Sequence, residues 1–98
     1  MKEADVEKYL HKQVTKYGGT TRKWVSPGRA GVPDRIVILP GGQIFFVELK
    51  RIDGRLTDRQ RREHLSLRQL GCNVFTLHGT VDVDSFIREH VFCEMDFM

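Results

Sequence analysis

The chain has 98 residues, 40% hydrophobic and 30% charged, with a formal net charge of +3, a composition that predicts one soluble globular domain spanning 1–98, small enough for dimerisation to help it. No apolar run approaches the length of a membrane span, residues 1–5 lack the apolar core of a secretion signal, and Cys72 and Cys93 lie far apart outside any CxxC pair. These features exclude a membrane protein and a disulfide scaffold, and they point to free thiols in a reducing, cytoplasmic setting.

Residues 3–17 set Val6, Leu10, Gln13, Val14 and Tyr17 on one helical stripe, and Gly18-Gly19 stops it. At about 100° per residue Glu3 falls inside that stripe and Glu7 at its edge, so Glu3 is an acid aimed towards the interior. The alternative leaves Glu3 in water as a first-turn acid favoured by the helix dipole. Residues 20–25 read as a short strand bearing Trp24, which reads as core, and residues 26–31 are a glycine-rich connector able to approach a ligand closely.

Strands follow at 35–39 and 43–50, apolar on both faces through Ile36, Ile38, Ile44 and Phe46 on one side and Val37, Leu39, Phe45 and Val47 on the other. Such strands are expected to be covered on both sides. Thr57-Asp58-Arg59-Gln60 fits a capping box that opens a helix running to about Leu70 and ending at Gly71. Residues 72–77 form the next strand, and a strand, crossover helix and strand make it parallel to 43–50. Asp82 or Asp84 then caps a final helix carrying Val83, Phe86, Ile87 and Val91. The whole is an α/β fold, a mixed central β-sheet flanked by helices.

The chemistry gathers at one end of the central hairpin. If Pro40-Gly41-Gly42 is a three-residue loop, Leu39 sits opposite Gln43 and Asp34 falls directly across from Glu48, while Glu48 and Lys50 share a face. A two-residue loop would set Arg35 there and turn Asp34 away. Two carboxylates suit a magnesium or manganese ion, which keeps its other positions for water and substrate phosphate. An adjacent lysine can orient or deprotonate the attacking water or stabilise transition-state charge, which is what metal-assisted attack on a phosphodiester requires.

Between Lys50 and Arg68 there are seven Lys or Arg against three acids, whereas from Asp82 onward acids outnumber bases. A phosphate backbone is the natural polyanion for such a segment, and Ser26, Arg29, Arg51, Arg55, Arg59, Arg61 and Arg62 are candidates to contact it. The bland alternative is a solvated helix face with local ion pairs. A zinc site from Cys72, His78, His90 and Cys93 fits no known spacing, and His11 and His64 read as exposed helix residues.

On these residues the chain resembles the VRR-NUC family of the PD-(D/E)xK nuclease superfamily, stand-alone phage or bacterial type. The resemblance runs from about Glu3 to Leu77 and rests on Ser26-Pro27-Gly28, Gly31-Val32-Pro33-Asp34, Phe46-Val47-Glu48-Leu49-Lys50, and Gln60 in a helix closing with Leu70-Gly71. It implies an αβββαβ restriction-endonuclease-like core. It also implies metal binding by Asp34, Glu48, the Leu49 carbonyl and Glu3 (or its neighbour Glu7), with Lys50 as the catalytic lysine. Gln60 is similar to the glutamine that closes the motif, or is only the third residue of its capping box.

The resemblance further implies a Mg2+- or Mn2+-dependent deoxyribonuclease selective for branched DNA such as Holliday junctions, working as a homodimer because such a junction needs two active sites. A nicking, flap-directed or duplex-cutting enzyme of the same fold is one alternative. A catalytically silent DNA-binding module is another, though binding alone does not require Asp34, Glu48 and Lys50 together.

Overall fold

The computed structural model describes residues 2–92. Helix α1 (Glu3–Lys16) is followed by strands β1 (Thr20–Lys23), β2 (Arg35–Leu39) and β3 (Gln43–Lys50), helix α2 (Asp58–Gln69), strand β4 (Val74–His78) and helix α3 (Gly79–Phe86), which runs into a π-helical segment, Ile87–Phe92. The four strands form one sheet in the order β1-β2-β3-β4. β1 and β2 pair antiparallel, as do β2 and β3, and β4 returns parallel to β3 after α2. This is the expected αβββαβ mixed sheet.

The hairpin has the three-residue loop. Leu39 pairs with Gln43 and Arg35 with Val47, so the next position along sets Asp34 across from Glu48. The turn forms because Pro40 presets its own φ, Gly41 takes a φ of +89°, and the Gly42 N–H closes on the Leu39 carbonyl at 3.0 Å. Gly42 continues at +82°, a second left-handed residue for which a side chain would be strained.

Val6, Leu10 and Val14 recur at helical spacing along α1 and are fully buried against Val37, Phe45, Val47 and Leu49 of the sheet, with Val83, Phe86 and Ile87 of the C-terminal helical region completing the cluster. The Tyr9 hydroxyl donates to Asp84 at 2.6 Å and ties α1 to α3. Hydrogen bonding to that carboxylate, burial and its negative charge all raise the Tyr9 pKa.

The other sheet face differs from the expectation of full cover. α2 lies over its Glu48 end, whereas Ile36, Ile38 and Phe46 are half-buried and Ile44 is 43% exposed. One twelve-residue helix cannot roof four strands. Trp24 belongs to this half-covered face, its ring tilted on Phe46 at 5.1 Å. It lies just past β1, which stops at Lys23, although the Trp24 N–H still donates to the Asp34 carbonyl at 2.9 Å.

Two further boundaries differ. β4 begins at Val74 and not at Cys72, because Leu70, Gly71 and Cys72 spend their N–H groups closing the end of α2. α3 begins at Gly79, earlier than Asp82 or Asp84 would set it. Asp82 sits in its first turn, where it accepts the His78 N–H at 2.7 Å, and Asp84 is taken by Tyr9. The Cys93 expectation lies outside the described residues, and Cys72 is a free, half-buried cysteine.

Candidate active site

Strand alternation sends Phe45, Val47 and Leu49 to the closed face and Phe46, Glu48 and Lys50 to the face under α2. Glu48 is therefore an acid in the middle of a sheet, only 2% exposed. Its Oε2 lies 3.6 Å from Lys50 Nζ and accepts a hydrogen bond from Gln60 Nε2 at 3.2 Å. Its Oε1 is buried without a hydrogen-bond partner among the described residues. Burial, with Asp34 second, pushes the Glu48 pKa from 4.5 up to about 8, against the pull of Lys50.

Asp34 ends the connector and enters β2. Its Oδ2 accepts the Leu49 N–H at 3.2 Å, in place of the strand partner that β3 has lost there. The N–H and C=O of one strand residue point to the same side, so the Leu49 carbonyl faces this same edge, beyond the end of β2. Asp34, Glu48 and the Leu49 backbone thus converge, with Lys50 beside them.

This donor set fits a hard divalent cation. Mg2+ takes one or two carboxylates and fills its remaining positions with water and substrate, and an unpaired buried carboxylate oxygen is costly unless something neutralises it. No group of three or more His, Cys, Asp or Glu able to hold a metal ion exists among the described residues; a cation here would have the two carboxylates as its side-chain ligands.

Gln60 meets the capping-box expectation and also touches Glu48. Its side-chain carbonyl accepts the Thr57 N–H at 2.9 Å and its own N–H donates to Thr57 Oγ1 at 3.1 Å, completing the capping box, while its amide nitrogen reaches Glu48. An amide offers an acceptor and donors at once. The cap fixes the rotamer that presents the donor.

Glu3 does not face the interior. It is exposed in the first turn of α1, with no hydrogen bond or ion pair among the described residues. Helix α1 packs on the closed sheet face, opposite Glu48, and Glu7 is held there by Arg35 at 3.1 Å. Of the two readings of Glu3, the solvated first-turn acid is the one realised, because the helix begins at this residue.

His64 is the residue that sequence reasoning missed. Taken as exposed, it is fully buried on α2 with Nε2 3.8 Å from Glu48 Oε1. Burial, then the charge of Arg68, lowers its pKa, with Gly31, Asp34 and Glu63 pulling the other way. The available signal was its spacing, one helical turn after Gln60. His11 is exposed and 2.6 Å from Thr21 Oγ1.

The cationic candidates divide into two groups. Arg29, Arg59 and Arg62 line an open cleft of about 410 Å3 with Gly28 and Ala30, above a buried Glu63 that holds Arg29 at 2.6 Å. Arg51 lies on the turn after β3, 3.6 Å from Asp53, and lines a cleft of about 660 Å3 that includes Lys2, Ile52 and Val81. Arg55 is exposed nearby, Arg61 pairs with Asp58 at 2.7 Å, and Ser26 is half-buried with its carbonyl accepting the Arg29 N–H.

A four-stranded mixed sheet with this connectivity, its acids at the end of the central hairpin, defines an α/β protein of the restriction-endonuclease-like class. No family model matches the sequence. A protein of Acyrthosiphon pisum secondary endosymbiont phage 1, "Putative nuclease p44", is 49% identical over 77 residues, 79% of this chain and 83% of the phage protein. A solved structure described as "VRR_NUC domain" superposes with a TM-score of 0.84 at 39% identity, covering 90% of this chain and 96% of that one. Another, "VRR_NUC domain protein", has a TM-score of 0.72 at 17% identity over 94% and 89% of the two chains, and shares the fold. The chain belongs to the VRR-NUC family, a family of nucleases.

Proposed function

We propose that this chain is a divalent-cation-dependent deoxyribonuclease acting on branched DNA, four-way junctions foremost. The observation that carries this is the buried Glu48 with one unpaired oxygen, next to Asp34 and 3.6 Å from Lys50. Asp34, Glu48 and the Leu49 carbonyl would hold Mg2+ or Mn2+, which when bound supplies a Lewis acid for the scissile phosphate and lowers the pKa of a bound water. Lys50, 3.6 Å from Glu48, would orient the attacking water or neutralise charge as a water oxygen bonds to phosphorus, its proton passes to solvent, and the sugar–phosphate ester bond breaks with the leaving oxygen taking a proton from solvent. Gln60 steadies Glu48. Glu3, standing in water, is left out of this ligand set.

Arg29, Arg59 and Arg62 in one cleft and Arg51 in another, with Arg55 and Ser26, would track the phosphate backbone. The chain would act as one nuclease domain in the bacterial cytoplasm; no helix among the described residues is long and apolar enough to cross a membrane. Cutting a junction symmetrically takes two sites, and the half-covered patch of Ile36, Ile38, Ile44 and Phe46 supports pairing of two copies.

Incubation of end-labelled single strand, duplex, flap and four-way junction with protein and Mg2+, with Lys50→Ala in parallel, tests the proposal. Paired cuts in the junction that Lys50→Ala abolishes are expected. Cleavage of duplex or flap alone would correct the substrate, and binding without cleavage in both Mg2+ and Mn2+ would leave a DNA-binding module.

A further inference from the structure

Glu48 is gripped from α2 by residues one turn apart. Gln60 Nε2 holds Oε2 at 3.2 Å, and His64 stands over Oε1 with Nε2 at 3.8 Å. That gap is roughly an ångström beyond hydrogen-bonding distance. Oε1 and both ring nitrogens of His64 are buried with no well-formed hydrogen bond among the described residues, the Gly31 backbone offering the ring a contact short of good geometry, and His64 has no solvent exposure at all. Two unpaired polar groups facing each other in a buried site are costly apart and stabilising once joined.

Gly31 has a φ of +88°, and a Cβ there would come within 2.9 Å of the Arg59 carbonyl oxygen, so the loop leading to Asp34 is packed directly on the backbone of α2. The segment that brings Asp34 and the helix that brings Gln60 and His64 to Glu48 are thus in direct contact.

We propose that His64 is a positioning residue for Glu48: its Nε2–H donates to Oε1 when the carboxylate holds a cation, matching the Gln60 bond to Oε2. A small rotation of either side chain closes the gap. Ligating carboxylates are ordinarily fixed by such outer hydrogen bonds, whose loss costs about 10–100-fold in metal affinity or activity. The inference rests on reading Asp34 and Glu48 as cation ligands.

The test titrates MnCl2 into the DNA-free protein by calorimetry, for wild type, His64→Leu, His64→Met and His64→Gln, with thermal melts in EDTA to verify folding. The apolar variants should fold yet bind Mn2+ about 10-fold or more weakly, with cleavage recovering at high Mn2+, and His64→Gln, which keeps a donor, should lie near wild type. In the unmutated protein, the His64 15N resonances should shift on adding Mg2+. Wild-type affinity in a folded apolar variant, a His64→Gln affinity as low as that of His64→Leu, or His64 resonances indifferent to bound Mg2+ would each overturn the role of His64 alone. No Mn2+ binding by the wild type would overturn the cation reading itself, and this inference with it.

Discussion

The two faces of the sheet are built on opposite terms. Towards α1 and α3, every sheet residue from Val37 to Leu49 in the apolar cluster is buried among hydrocarbon. Beneath α2, the buried polar groups are Glu48, Glu63 and His64, with unpaired atoms on Glu48 and His64; Val74 is buried beside them, and the apolar residues Ile36, Ile38 and Phe46 are only half covered. Stability is concentrated on one face, so the other can tolerate a desolvated carboxylate beside a second acid. An unsatisfied buried charge costs free energy in the folded state, and a continuous core on the opposite side is what offsets it.

If that division holds, substitutions on the two faces should be separable. The largest effect is expected from Lys50→Ala, which should lower cleavage by about 10²-fold or more while leaving the melting temperature within a few degrees of wild type. Steady-state cleavage measured beside calorimetry checks this, and a collapse of the melt would break the comparison. Leu10→Ala, on the closed face, should do the reverse: a loss of about 2–5 kcal/mol in denaturant unfolding, with cleavage per folded molecule unchanged.

A smaller effect sharpens the contrast through pH. With Glu48 raised from 4.5 to about 8, the folded protein holds a proton that the unfolded chain releases, so metal-free stability should fall as pH rises from about 4.5 to 8. The slope is at most about 1.4 kcal/mol per pH unit for one proton. Glu48→Gln, unfolded by urea in EDTA at several pH values, should flatten that slope and be more stable than wild type at pH 8; unchanged slopes would mean that Glu48 is not the group concerned.

The smallest effect belongs to the rim of the polar face. Arg62→Ala should weaken junction binding only several-fold and reduce the dependence of log affinity on log salt by about 1, as read by anisotropy titrations at increasing salt. An unchanged salt slope would remove Arg62 from the phosphate contacts.

Much of the polar face was legible because it depends on counting. The loop length, the register and the alternation of side chains place Asp34 against Glu48 and Lys50 beside it before any coordinates are known. Gln60 was legible as well, though as two competing roles, because sequence does not show that an amide can face both ways. His64 was not legible: Leu65 on the same helix and Leu70 at its C-cap are exposed, so the pattern of α2 hides its buried side. Glu3 was open between two readings, and its interior angle on the stripe gave way to the solvated one because it stands in the first turn of α1, exposed.

Sequence by itself determined the order of elements, the hairpin register and the residue types at its acidic end, because backbone periodicity and turn chemistry act over a few neighbouring residues. Only the tertiary structure decided that α2 lies across Glu48, that Gln60 and His64 approach its two oxygens, and that part of the sheet stays open. Those outcomes depend on contacts between segments distant in the chain, where the packing of α2 and the loop at Gly31 outweighs local preference.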